Sequence, residues 1–144
     1  MKPVFADTSY FVAFCGPNDA FHARAVELSA RLLGPIITTE YVIVETEGLL
    51  CRPQDRPACV NLVRDLHSDP AVQIVPASKG LFQAGFDLFA ARPDKEWSLV
   101  DCISMVVMKQ RRLRETLTTD RHFVQAGFRS PLNRARRRSR RPKW

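Results

Sequence analysis

Val4-Phe5-Ala6-Asp7-Thr8-Ser9-Tyr10-Phe11-Val12-Ala13-Phe14 opens with a short apolar run, closes it with a carboxylate, and continues into an apolar stretch that Gly16-Pro17 cuts off. A short apolar run ended by an acid reads as a strand, and the stretch behind it as a short helix stopped by two breakers. The same unit returns along the chain. Ile36-Ile37-Thr38 runs into a helix from Thr39 to Leu50. Val72-Gln73-Ile74-Val75, between two prolines, precedes a helix from Lys79 to Ala91. Glu115 to Thr119 precedes a short helical segment from Asp120 to Gln125. Further helices are predicted from Asn18 or Asp19 through Leu33, from Arg56 to Ser68 and from Ser98 to Gln110, with a fifth strand near Gly127-Phe128. Short apolar strands alternating with helices imply an α/β fold, its parallel sheet covered on both faces. Four to five strands are expected. Tyr41, Val42, Ile43 and Val44 stand together in one helix, which should therefore be apolar nearly all round and largely buried.

A chain of 144 residues with 45% hydrophobic content fits one globular domain able to bury a core. The net charge of +7 is unevenly placed. Residues 129–144 hold eight basic side chains and no acidic one, whereas the other 128 residues hold 14 basic and 15 acidic. A domain over 1–128 and a basic tail over 129–144, disordered by itself, are the expected division. Arg136, Arg137 and Arg138 in that tail are candidates for contact with nucleic-acid phosphates. Cys15, Cys51, Cys59 and Cys102 form no CxxC pair and no zinc pattern, and Cys102 in an apolar helix reads as a small buried hydrophobe. The first apolar run is too short for a signal-peptide core, and none approaches membrane-spanning length, so a cytoplasmic protein is expected.

Four acids stand out. Asp7 and Asp120 end strands, and Asp101 lies in the first turn of a helix. Each has a local explanation: Asp7 and Asp120 suit helix N-caps, and Ser98-Leu99-Val100-Asp101 matches a capping box. Glu45 does not. It sits inside Tyr-Val-Ile-Val-Glu, mid-helix, and a buried carboxylate needs a cationic partner, an Arg, a Lys or a metal ion. Taken together, carboxylates gathered at the carboxyl ends of parallel strands lie where such sheets bind ligands. They would repel one another unless a cation neutralised them. Hard oxygen ligands select Mg²⁺ or Mn²⁺ over zinc, and such centres hydrolyse phosphodiesters. Neither a GxGxxG nor a Walker A loop occurs.

Val-Phe-Ala-Asp7-Thr-Ser, Thr-Thr-Glu-Tyr-Val-Ile-Val-Glu45, Trp97-Ser-Leu-Val-Asp101-Cys-Ile-Ser and Leu-Thr-Thr-Asp120-Arg-His-Phe, in this order, resemble the PIN-domain ribonucleases. Among these the VapC-type toxins of toxin–antitoxin pairs are especially similar, and the resemblance spans residues 3 to 128. It implies a PIN-like three-layer α/β/α fold with a short, mainly parallel sheet. It further implies that Asp7 and Asp101 hold Mg²⁺, with Mn²⁺ as substitute, while Glu45 and Asp120 complete the acidic set and help place the attacking water. Ser9, with Thr119 or Thr118, would orient the ligands. The implied reaction is in-line hydrolysis of RNA, leaving 5′-phosphate and 3′-hydroxyl ends. The implied partners are an RNA substrate, a cognate antitoxin protein and a second copy of the chain. The basic tail departs from the family pattern.

Other residues carry less. His22, His67 and His122 lie in different elements without a second acid–base partner, so no histidine mechanism is expected. Phe11, Phe14, Phe82, Phe86 and Phe89 at helical spacing read as core or dimer surface, and Trp97 as a packed loop aromatic rather than a base-stacking platform. Two other functions compete. A non-catalytic PIN-like module binding RNA or a partner is opposed by the intact acid set. An aspartyl-phosphate phosphatase would want a second acid two positions after its nucleophile, where Ser9 stands.

Overall fold

In the computed structural model, which describes residues 2–32 and 34–133, the opening apolar run is β1, Val4–Ala6. All three of its residues are buried. It pairs in parallel with β2, Ile36–Thr39, on one side and with β4, Thr116–Leu117, on the other. β2 in turn pairs in parallel with β3, Val72–Val75. The order β3-β2-β1-β4 places β1 where the chain changes direction across the sheet, which is the switch point at which open parallel sheets bind ligands.

The helices are α1 (Thr8–Cys15), α2 (His22–Arg31), α3 (Glu40–Leu49), α4 (Arg56–Ser68), α5 (Lys79–Ala91), α6 (Leu99–Gln110) and α7 (His122–Gln125). With the sheet they make the three-layer α/β arrangement. Phe5, Phe11, Val42, Ile103, Met105, Met108, Leu117 and Phe123 form the fully buried centre. Cys102 is buried among them on α6, as a small hydrophobe should be. α5 and α6 pack closely because Gly85 has no Cβ: one added there would run into the Ile103 side chain.

Four expectations need correction. α3 is not apolar all round in its surroundings. Val42, Ile43 and Thr46 face inward, while Val44 is 67% and Leu49 60% exposed. Neither Asn18 nor Asp19 caps α2, which starts only at His22; Asp19 instead accepts the Phe21 N–H in the preceding loop at 2.8 Å. The expected fifth strand shrinks to a single parallel bridge between Glu115 and Arg129, reached after a turn at Gly127, whose φ of +95° favours glycine. Finally, the fold runs past residue 128. Arg129 donates to the Arg114 carbonyl, the Ser130 hydroxyl donates to the Thr118 carbonyl at 2.8 Å, and Leu132 is buried in a 3₁₀ turn, Pro131–Asn133. The expectation for 134–144, Arg136, Arg137 and Arg138 included, lies outside the described residues. No helix among the described residues is long and apolar enough to cross a membrane.

Candidate metal centre

Asp7 follows β1 directly and occupies the N-cap position of α1, yet its side chain makes no capping bond. Two hydroxyls hold it instead. Oδ2 accepts from Ser9 Oγ at 3.1 Å and from Thr118 Oγ1 at 3.0 Å, and those hydroxyls lie 3.0 Å apart. Ser9 Oγ also accepts the Thr119 N–H at 2.9 Å. The short strands β1 and β4 thus deliver their following residues side by side, and a small hydroxyl network ties the two together. Asp7 Oδ1 is buried and has no partner, an arrangement that normally costs about 1–3 kcal/mol.

Asp101 does two things at once. Its Oδ2 accepts the Ser98 N–H at 2.9 Å while Ser98 Oγ accepts the Asp101 N–H at 3.0 Å, so the capping box is complete. It is also buried beside the other acids. Asp120, in the loop after β4, accepts the His122 N–H on Oδ1 at 3.0 Å, and its backbone carbonyl accepts from Asn133 Nδ2 at 2.8 Å. One carboxylate oxygen from each of Asp7, Asp101 and Asp120 lies within 4.8 Å of the others. No salt bridge among the described residues reaches any of the three.

The electrostatics follow from that crowding. Burial, with the charges of Asp101 and Asp120 adding to it, pushes the Asp7 carboxyl up to about 7 from its ordinary value of 3.8. Asp101 is also raised, first by burial, and the Ser98 N–H partly opposes the shift. Three acids in no salt bridge among the described residues, one bearing an orphaned buried oxygen, are the donor set of a hard divalent cation. The residues present fit such an ion.

Glu45 is set apart. It lines the same cleft of about 280 Å³, with Asp7, Asp101, Thr119 and Asp120, but it is only half-buried and lies outside the three-carboxylate group. The expected buried Glu45 is therefore a wall residue, because α3 turns the side that bears Val44 toward the surface. Thr118, not Thr119, brings its hydroxyl to Asp7; Thr119 contributes its backbone N–H and lines the cleft. Asp19 was missed. It lines the cleft too, folded over from the loop between α1 and α2, and no local motif marks it as a site residue. Trp97 is buried, with its indole N–H donated to Gln125, and Arg92 lies over its ring at 5.2 Å. His22 bonds the Ala13 carbonyl and His67 the Val63 carbonyl through ring nitrogens, while His122 meets Asp120 through its backbone.

The PIN domain family model matches residues 4–129. In Mycobacterium tuberculosis, strains CDC 1551 / Oshkosh and H37Rv, the 23S rRNA-specific endonuclease VapC20 is 27% identical over 125 residues, which cover 87% of this chain and 95% of that one. The crystal structure of the same organism's VapC20, described as a sarcin-ricin loop cleaving toxin, superposes with a TM-score of 0.81 at 26% identity. It covers 88% of this chain and 96% of that one. FitAcB from Neisseria gonorrhoeae shares the fold at a TM-score of 0.63 and 16% identity, covering 86% and 92%.

Proposed function

The chain belongs to the PIN-domain family, and from that premise we propose that it is a divalent-metal-dependent endoribonuclease, the toxin of a toxin–antitoxin pair. The observation that carries this reading is the trio Asp7, Asp101 and Asp120, with mutually close oxygens and no basic partner among the described residues. Asp7 and Asp101 would hold Mg²⁺, or Mn²⁺ in its place, through the oxygens that the Ser9–Thr118 network and the Ser98 cap leave over. Bound there, the cation supplies charge neutralisation at the phosphate and a lower pKa for attacking water. Ser9 and Thr118 fix the Asp7 carboxylate, and the capping box fixes Asp101, so little reorganisation is needed at the reacting phosphate. Asp120, held by the His122 N–H, and Glu45 on the outer wall would position the water for in-line attack. The strand ends as 5′-phosphate and 3′-hydroxyl.

The substrate of the VapC20 relatives makes 23S ribosomal RNA the first RNA to assay. Partners beyond RNA would be an antitoxin protein and a second copy of the chain, and the site of action the cytoplasm. Support for a protein partner is the stripe Phe82, Phe86 and Phe89 on α5, 46%, 46% and 47% exposed. Aromatic surface in a row marks an interaction face more often than an idle one.

The test is cleavage of ribosomal RNA by the purified chain. Cutting is expected with Mg²⁺ or Mn²⁺ and none in excess chelator. Asp7→Asn and Asp101→Asn should each abolish it with the fold intact. Undiminished cutting in chelator would end the metal reading, and a chain that cuts no RNA with either ion would return the choice to a non-catalytic module.

A further inference from the structure

A larger cavity, about 900 Å³, adjoins the acidic cleft, and Thr119 lines both. Its volume lies in the range of about 300–1,000 Å³ typical of small-ligand sites. Its chemistry is opposite to the cleft's. The cleft wall carries Asp7, Asp19, Glu45, Asp101 and Asp120. The cavity wall has no acid, and Arg121 and Arg129 stand on it, both exposed and in no salt bridge among the described residues. Phe21, Val124 and Phe128 line the same cavity with apolar surface. Two amides complete the lining. Gln125 spends its carbonyl on Trp97, and Asn133 spends its Nδ2 on the Asp120 carbonyl, so each has its other polar atom left for a ligand.

Resting on the ribonuclease reading, we propose that this cavity receives a nucleotide of the RNA strand next to the bond being cut, with Arg121 and Arg129 holding its phosphates and Phe128 and Phe21 its base. The charge balance favours a site of this kind. Five carboxylates line the cleft, and one divalent ion neutralises only two charges, so a polyanion gains little affinity from the cleft itself. Cations just outside it are placed to supply affinity. Arg121 directly follows Asp120 in sequence, and Asn133 is hydrogen-bonded to Asp120, so both cavity walls are tied to the acidic centre. Stacking of a base on aromatic carbon tolerates any base. A peptide partner would find two arginines in no salt bridge among the described residues and few backbone-directed groups, so RNA is the better match.

The experiment uses the full chain with Mg²⁺. Two-dimensional amide spectra are recorded while each of the four nucleoside 5′-monophosphates is added, and cleavage kinetics are measured on a mixed-sequence single-stranded RNA oligonucleotide. The variants are Arg121→Gln/Arg129→Gln, Val124→Glu on an exposed cavity position, and Arg52→Gln/Arg64→Gln as a charge-matched control elsewhere on the surface. Shifts are expected at Val124, Gln125, Phe128 and Asn133. The first two variants should raise KM at least fivefold with kcat held within about twofold, and the control should leave both near wild type. The salt dependence of binding should flatten by about 0.7 in log–log slope for each arginine that holds a phosphate. Wild-type cleavage with unchanged KM and slope in both cavity variants would overturn the cavity proposal alone, whether or not the amides move. Equal KM increases in the control would overturn it as well, since bulk charge would then suffice. Absence of any cleavage by the wild type would instead overturn the ribonuclease reading and the cavity proposal together.

Discussion

Asp7 concentrates the tension in this molecule. Its carboxyl is buried against two others, and its value of about 7 means that the folded, metal-free protein binds a proton more tightly there than the unfolded chain does. A carboxyl raised in the folded state contributes stability that is fully present below its unfolded value near 4 and is lost as the pH rises through 7. In chelator, the melting temperature should therefore fall between pH 4 and pH 8, with up to about 4 kcal/mol at stake. Asp7→Asn should remove most of that fall and be the more stable protein at pH 8. Adding Mg²⁺ at pH 8 should raise the melting temperature of the wild type and leave Asp7→Asn nearly unmoved. A flat pH profile for the metal-free wild type would show that Asp7 is not strained. Asp101 separates its two duties by substitution. Asn keeps an acceptor for the Ser98 N–H while dropping the charge, so metal-free stability should hold or rise. Ala loses the cap and should cost about 1 kcal/mol. Thr118→Val, which frees Asp7 Oδ2 from one hydroxyl, should lower cleavage about 10- to 100-fold without touching a ligand.

At the level of elements, close packing at one glycine governs α5. Gly85→Ala would press a methyl group into Ile103 on α6, and the expected loss is about 1–3 kcal/mol, read as a lower denaturant midpoint with an unchanged slope. Gly80→Ala on the same helix meets nothing and is the control. α5 also shows what patterning can and cannot reveal. Its bounds follow from Ser78 as N-cap and from the spacing of Leu81, Gly85 and Leu88, and the apolar residues Phe82, Phe86 and Phe89 follow the same period one residue on. Periodicity cannot say which of two apolar faces meets the core. The same ambiguity hid the true surroundings of α3, where Tyr41-Val42-Ile43-Val44 suggested burial on all sides and Val44 is exposed. Asp7, Asp101 and Asp120 were legible because each ends or begins an element, and parallel strands bring such ends to one edge. Asp19 was not, since it reaches the cleft through a loop whose path depends on α1 packing against α2.

At the scale of the whole molecule, the fold continues past the residue at which the charge pattern ends it. The run of basic residues begins at Arg129, but Arg129 to Asn133 close the fold beside β4: Leu132 is buried, Ser130 bonds the Thr118 carbonyl and Asn133 bonds that of Asp120. Composition could not separate them, because a buried leucine and two hydrogen bonds lie inside an otherwise polar sequence. Two truncations therefore have different outcomes. A chain ending at Phe128 loses those contacts and uncovers Thr118, whose hydroxyl holds Asp7, so both melting temperature and turnover should drop. A chain ending at Asn133 keeps them and sheds only residues 134–144, which carry seven basic side chains and leave 15 basic against 15 acidic. Its melting temperature and its turnover at saturating RNA should match the full chain. If the shed segment grips RNA, affinity should fall most at low salt, where counterion release is largest, and the salt dependence should flatten. The choice of cleavage site should hold, since phosphate contacts position a strand without reading it. Equal affinity and equal salt slope in the chain ending at Asn133 would make the terminal arginines bystanders, and would leave Arg121 and Arg129 on the neighbouring cavity wall to account for RNA binding.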